Sequence, residues 1–274
     1  MKKLFTLTAL VFFTAAAFAQ RLNTEDFNYA AGQLTDLNGG ANVSGGAWKN
    51  SSGTAEPLQV VTGNLSYADY ITNPLPGSGR LRMDTVTGSG EDAYMSFAAQ
   101  NANTVYCSFL VNLSSTANLI SHDSVSGDYF VSFLPSTNTF SYACRLYIRN
   151  GGSANTFNLG IAAQSAANTP VDWIDKDFAI NATHLVTMSY EFVTGSGNDI
   201  ARLWVDYPYS AAEPAAQATS AYAGGSENAN IGSLAVRQNY SSTSKGGTPK
   251  ADLDAFKIST AWGDVSLPVR LKSF

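Results

Sequence analysis

The sequence is poor in the residues on which most enzyme chemistry rests. Its 274 residues include two histidines and two cysteines, and only 14% are charged. There is no Cys-x-x-Cys, no His-Glu-x-x-His, no phosphate-cradling glycine loop and no Gly-x-Ser-x-Gly nucleophile elbow. No run of lysine and arginine occurs and the formal net charge is −5, so a phosphate backbone finds no electrostatic footprint and no nucleic acid partner is expected. Beyond residue 19 no stretch approaches the ~20 apolar residues that span a bilayer. No transmembrane span is therefore expected in the mature chain.

What the chain does have begins at its N-terminus. Met1-Lys2-Lys3 is a short basic region, Leu4 to Ala19 run apolar or small without a charge, and Ala17-Phe18-Ala19 offers small residues where signal peptidase reads. Residues 1–19 are expected to be a signal peptide cut before Gln20, giving a secreted, extracellular or cell-surface protein. Loss of Lys2 and Lys3 leaves a mature charge of about −7.

Periodicity assigns the fold class, because a strand with one buried face alternates while a helix repeats every 3.6 residues. Val105 to Leu113 place every odd residue on an apolar face, Phe140 to Arg149 do so on even positions, and His184 to Phe192 repeat the pattern. Further strands read at Asp128–Leu134, Ile200–Asp206, Ile231–Arg237 and Leu253–Ser259, and the connectors carry turn chemistry such as Asn38-Gly39-Gly40 and Gly195-Ser196-Gly197-Asn198. An all-β, antiparallel two-sheet β-sandwich follows. With no interior proline-rich linker, residues 20–264 read as one domain, and 265–274 as a C-terminal linker or strand stub.

Glu25-Asp26-Phe27-Asn28-Tyr29, Trp48 before Ser52-Gly53-Thr54, Gly127-Asp128-Tyr129-Phe130, Leu203-Trp204-Val205 and Asp254 to Ile258 followed by Trp262 occur in an order that resembles concanavalin A-like, laminin G-like jelly-roll modules of secreted Bacteroidota proteins. Leu267-Pro268-Val269-Arg270-Leu271-Lys272-Ser273-Phe274 is similar to the junction that precedes the sorting region of type IX secretion cargo, and the sorting region itself is not among these 274 residues. The resemblance implies a jelly roll at the cell surface more than any one activity.

Site candidates are few. A glycosidase on such a sandwich needs two carboxylates flanking the scissile bond, and the Glu-x-Asp-x-x-Glu spacing is missing. Glu191 stands alone on the polar face of its strand. Glu91-Asp92 point to opposite sides and read as a turn, and His122-Asp123-Ser124 reads as a loop. His184 falls in phase with core residues and reads as a core-edge histidine. No enzyme is expected, and no cofactor other than calcium, which related sandwiches hold at the rim. The calcium candidates are Asp199 and Asp206 at strand ends, with Asp252 and Asp254 behind them; Asp254, in phase with Phe256 and Ile258, reads as a buried carboxylate.

Cys107 and Cys144 lie on apolar strand faces and would form a disulfide if their strands are neighbours, contributing about 3–4 kcal/mol, or pack as two core thiols. Trp48, Trp173, Tyr207 and Tyr209 sit in turn-like contexts where an aromatic platform could meet a ligand. Three classes stay open: a glycan-binding or adhesive module with polysaccharide or cell-surface glycan as partner, a structural subunit that self-associates into a layer or filament, and a glycoside hydrolase with an unrecognised site.

Overall fold

The alternation becomes seventeen strands among the described residues: β1 (Arg21–Glu25), β2 (Gly32–Gln33), β3 (Lys49–Ser52), β4 (Gln59–Thr62), β5 (Gly79–Met83), β6 (Asp92–Gln100), β7 (Thr104–Ser115), β8 (Asp128–Leu134), β9 (Ala143–Asn150), β10 (Thr156–Ala162), β11 (Asp172–Trp173), β12 (Phe178–Ala179), β13 (Thr183–Glu191), β14 (Ile200–Val205), β15 (Ala218–Ala221), β16 (Ile231–Arg237) and β17 (Lys250–Ser259), followed by one short helix, α1 (Trp262–Ser266). The computed structural model describes residues 20–28, 30–35, 48–53, 56–68, 70, 79–84, 88, 90–137, 140–164, 170–207, 212–222, 224, 226–240 and 246–266. The signal-peptide segment, residues 267–274 and Tyr209 lie outside them.

The strands form two antiparallel sheets. One runs β15-β14-β13-β7-β17-β5-β4-β2, with β1 also on β17; the other runs β11-β10-β9-β8-β16-β6-β3, with β12 on β10. This is the sandwich that the alternation called for. Val105, Cys107, Phe109, Val111 and Leu113 of β7 meet Leu146 and Ile148 of β9 and Leu234 and Val236 of β16 in one shared core. That core extends from Leu22 to Ile258, so the two sheets belong to one unit. The expected boundary at residue 264 falls inside α1. Val265 is fully buried and its carbonyl accepts a 2.9 Å hydrogen bond from Ser108 Oγ, so the sandwich runs at least to Ser266.

The strand phase breaks once with large consequences. β17 carries a bulge between Asp254 and Lys257, with Ala255 at φ 54°. The extra residue lets both Leu253 and Phe256 enter the core. Asp254 is buried and hydrogen-bonded as expected, but it is out of phase with Phe256. It accepts the backbone N–H groups of Leu65 (2.8 Å) and Ala255 (2.7 Å), and Tyr70 donates to the Ala255 carbonyl (2.9 Å).

The outer face of the nine-stranded sheet is covered. Leu110, Leu185 and Ala255 pack under Leu65, Tyr67 and Tyr70, while Tyr106 and Trp204 pack under Trp262 and Val265 of α1 and under Tyr207. At one end of this sheet His184 sits 7% exposed, its Nδ1 2.7 Å from Asp206 and its Nε2 2.9 Å from the Ala179 carbonyl. Burial pulls the imidazole pKa down, but these two acceptors outweigh it and hold it above its ordinary value. The core-edge reading of His184 stands.

The setting expected for a disulfide is not found. Cys107 on β7 and Cys144 on β9 belong to opposite sheets, because the chain crosses the core between them. Both are buried free thiols, and Cys144 Sγ donates to the Ser189 carbonyl at 3.2 Å.

Under the covered face lies Lys257, whose Nζ is 3.5 Å from the Tyr70 ring centroid and has no hydrogen-bond partner. Burial, with help from Arg21, lowers its pKa to about 8. The folded chain therefore binds fewer protons than the unfolded chain between about pH 8 and 10.5, so this residue's penalty is full below about 8 and fades as pH rises. Lys257→Met is expected to stabilise the protein at neutral pH by roughly 2–3 kcal/mol in urea unfolding, with the gap to the parent closing towards pH 10.

Candidate functional site

The outer face of the eight-stranded sheet is covered among the described residues only by its own side chains, Tyr147, Ala162 and Val171 being buried with Tyr129 and Trp173 packed against them. On β9 the outward positions read Arg145, Tyr147, Arg149, a cation, a ring and a cation two residues apart. On the neighbouring β8, Tyr129 is in register with Tyr147, and on the next strand but one from β9, β16 ends in Arg237. These side chains meet. The Arg145 guanidinium lies 4.7 Å from the Tyr129 centroid and 5.6 Å from that of Tyr142, and Arg237 lies 4.6 Å from Tyr129. Tyr129 therefore stands between two cations, with Tyr142 and Tyr147 at 5.4 and 5.7 Å.

Arg237 is committed to two carboxylates. Its Nη1 is 2.5 Å from Asp128 Oδ1 and its Nε is 3.6 Å from Asp92 Oδ2. Asp128 also accepts from Asn239 Nδ2 at 2.7 Å, and Asp92 accepts from Ser52 Oγ and the Gln238 N–H. Burial pushes the Asp92 carboxyl up to about 6 against the opposing pull of Arg237. Burial also raises the Tyr129 phenol well above its ordinary value, so it is neutral at physiological pH.

The strip continues towards the sheet edge. Arg149 lies 4.3 Å over the Trp173 ring, beside an open cavity of about 450 Å³ lined in part by His122, Asn158 and Lys176. Trp173 can lie flat against β10 because residue 160 is glycine: a Cβ there would come within 2.7 Å of both Trp173 and Val171. Arg149 Nη1 donates to the Ser124 carbonyl at 2.8 Å, but its buried Nε and the buried Trp173 Nε1 have no hydrogen-bond partner.

Of the expected ligand-facing aromatics that are described, Trp48, Trp173 and Tyr207, Trp173 belongs to this face. Trp48 is 2% exposed, stacked on Phe27 at 6.1 Å, and its Nε1 donates to Glu25 at 2.7 Å, because the chain entering β3 turns this side chain into the core. Tyr207 packs against Trp262 on the covered face. The calcium candidates do not converge. Asp199 precedes β14 and takes the Tyr190 hydroxyl (2.6 Å) and the Val193 N–H (2.8 Å); Asp206 follows β14 and takes His184. Asp252 is paired with Arg80 and Arg82, at 2.6 and 2.8 Å. No cluster of three metal-ligating side chains occurs among the described residues.

Glu191 is held by Arg202 at 2.6 Å, and it lines a cavity of about 870 Å³ among the loops at one end of the sandwich. The other two carboxylates there are also engaged, Asp199 as above and Glu227 by the backbone N–H groups of Asn198 and Asp199. His122 and Asp123 contact each other in an exposed loop. Sequence reading passed over Tyr129, Arg145, Arg149 and Arg237, and it took Asp92 for a turn residue. The signal present was the polar side of β9, where an arginine recurs around a tyrosine.

No protein-family model matches the chain and no curated protein matches it. Among solved structures it is similar to an endo-β-1,4-glucuronan lyase from the fungus Trichoderma reesei (12% identity, 90% of this chain and 98% of that one, TM-score 0.47). It is also similar to peanut lectin (10%, 78% and 96%, 0.36) and to a glycosyl hydrolase family protein from Mycobacterium fortuitum (18%, 67% and 75%, 0.32).

Removing Arg237 would leave two buried carboxylates without their cation. Arg237→Gln is expected to cost about 3–5 kcal/mol. The cost should be smaller at pH 5 than at pH 7.5, because Asp92 is protonated below about 6. Urea unfolding at the two pH values measures both.

Proposed function

We propose that this chain is a secreted or cell-surface module that binds a glycan chain along the open face of the eight-stranded sheet without cleaving it. The observation that carries this reading is the strip of partly exposed Tyr129, Tyr142 and Trp173 interleaved with Arg145 and Arg149 on the outer face of the eight-stranded sheet. Flat rings offer apolar surface to the C–H side of a sugar, and the guanidinium edges beside them offer donors to its oxygens. Rings already held by stacking lose little freedom on binding. The non-catalytic part rests on Asp92 and Asp128. Both are tied to one guanidinium, whereas glycoside cleavage needs one carboxyl free as acid and a second as base or nucleophile.

The test is binding to a panel of soluble polysaccharides by affinity electrophoresis, with a reducing-end assay run in parallel. Tyr129→Ala combined with Trp173→Ala is expected to weaken retention about tenfold, equivalent to about 1.4 kcal/mol. Tyr207→Ala, on the covered face, should leave it unchanged. Retention that survives the double substitution would remove the face from the argument. Reducing ends that appear with the parent and vanish with Asp92→Asn would replace a binding module by a hydrolase.

A further inference from the structure

We infer that the ligand of this face is an anionic glycan, carrying carboxylate or sulfate ester groups, gripped by Arg145 and Arg149; this rests on the glycan-binding reading above. The chain as a whole is acidic, with 21 Asp+Glu against 16 Lys+Arg. Four of its eight arginines form internal ion pairs. Arg80 and Arg82 hold Asp252, Arg202 holds Glu191, and Arg237 holds Asp128 and Asp92. Arg145 and Arg149 form no ion pair among the described residues. The hydrogen bond of Arg145 is from Nε to the Tyr142 carbonyl at 3.1 Å, and that of Arg149 is from Nη1 to the Ser124 carbonyl at 2.8 Å.

Both guanidiniums are only partly exposed, and each lies over an aromatic ring, 4.7 Å from the Tyr129 centroid and 4.3 Å from that of Trp173. A half-buried cation without a carboxylate is costly to keep. Each guanidinium has donors beyond its one hydrogen bond, and their fork matches the two oxygens of a carboxylate or a sulfate. Asp123 bears on Arg149 from an exposed loop, with its side chain 97% accessible, and it is engaged with His122. Asp175 and Asp177 border the same cavity with Lys176, and Asp177, held as an anion by the N–H groups of Gly152 and Ser153 and by Asn158, forms no ion pair with Arg149. Arg145 and Arg149 are four residues apart on one strand, about 13 Å at a rise of about 3.3 Å per residue. A ligand touching both must therefore be a chain with at least two anionic groups.

The experiment compares retention of the parent by polygalacturonate, dextran sulfate and uncharged dextran, at low and high salt. Retention by an anionic polymer, with uncharged dextran bound at least about tenfold more weakly, is the expected result; which anionic polymer is retained says whether carboxylate or sulfate is read. Arg145→Gln combined with Arg149→Gln should lower that retention about tenfold or more, while Lys250→Gln, elsewhere on the molecule, should change it less than about twofold. If the double variant does not fold, salt decides: retention of the parent must fall steeply between about 0.05 and 0.5 M salt. Uncharged dextran held as tightly as the anionic polymers, without salt dependence, overturns the anionic inference and leaves the glycan-binding reading standing. A parent that binds no polysaccharide of any kind overturns both.

Discussion

The open face depends on one guanidinium. Arg237 lies where β16 ends, pairs with Asp128 and Asp92, and sits over the Tyr129 ring at 4.6 Å. Desolvation lifts the nearly buried Asp92 to about 6 even with the cation in place, so its charge depends on Arg237. Arg237 offsets part of the charge of those two acids, and Arg145 and Arg149 are the cations of the face that form no ion pair among the described residues.

The two outer faces of the sandwich have been put to different uses. On the nine-stranded sheet, the segment around Tyr70 and the short helix α1 bury Leu110, Leu185, Tyr106 and Trp204, so both sides of β7 and β13 are sealed from water. This cover has a conformational cost, in the positive φ of Ala255 and the unpaired Lys257 ammonium beneath Tyr70. On the eight-stranded sheet Tyr129, Tyr142 and Trp173 remain partly exposed, with arginine guanidiniums lying over their rings. Rigidity there comes from ring and guanidinium contacts, which leave polar edges available.

Much of the architecture was legible. Alternation in β7, β13 and most of β9 identified which side chains enter the core, since a period of two admits only one inward set. Ahead of β9 it fails, for Phe140 is exposed and Tyr142 meets Tyr129 on the outer face although both share the even phase of Cys144, which sits at φ 49°. Two further places escaped that logic. At β17 the bulge at Ala255 shifts the phase, so Asp254 is buried under a loop on the outer side and not beside Phe256. At Trp48 a turn-like sequence context suggested exposure, yet the ring stacks on Phe27 and donates to Glu25, a partner 23 residues away. Neither event leaves a mark in local sequence, because a bulge and a long-range hydrogen bond are chosen by the neighbours they meet.

The candidate site divides in the same way. The sequence by itself determined the fold class, the scarcity of catalytic groups and the recurrence of arginine around Tyr147 on one side of β9, all of which follow from composition and a period of two. Only the tertiary structure decided which cations are free. Arg237 and Arg145 look equivalent as letters, and they differ because antiparallel pairing brings Asp92 and Asp128 to the first and Tyr129 and Tyr142 to the second. Charge compensation is a property of distance, and distance between strands far apart in the chain is set by sheet order and register.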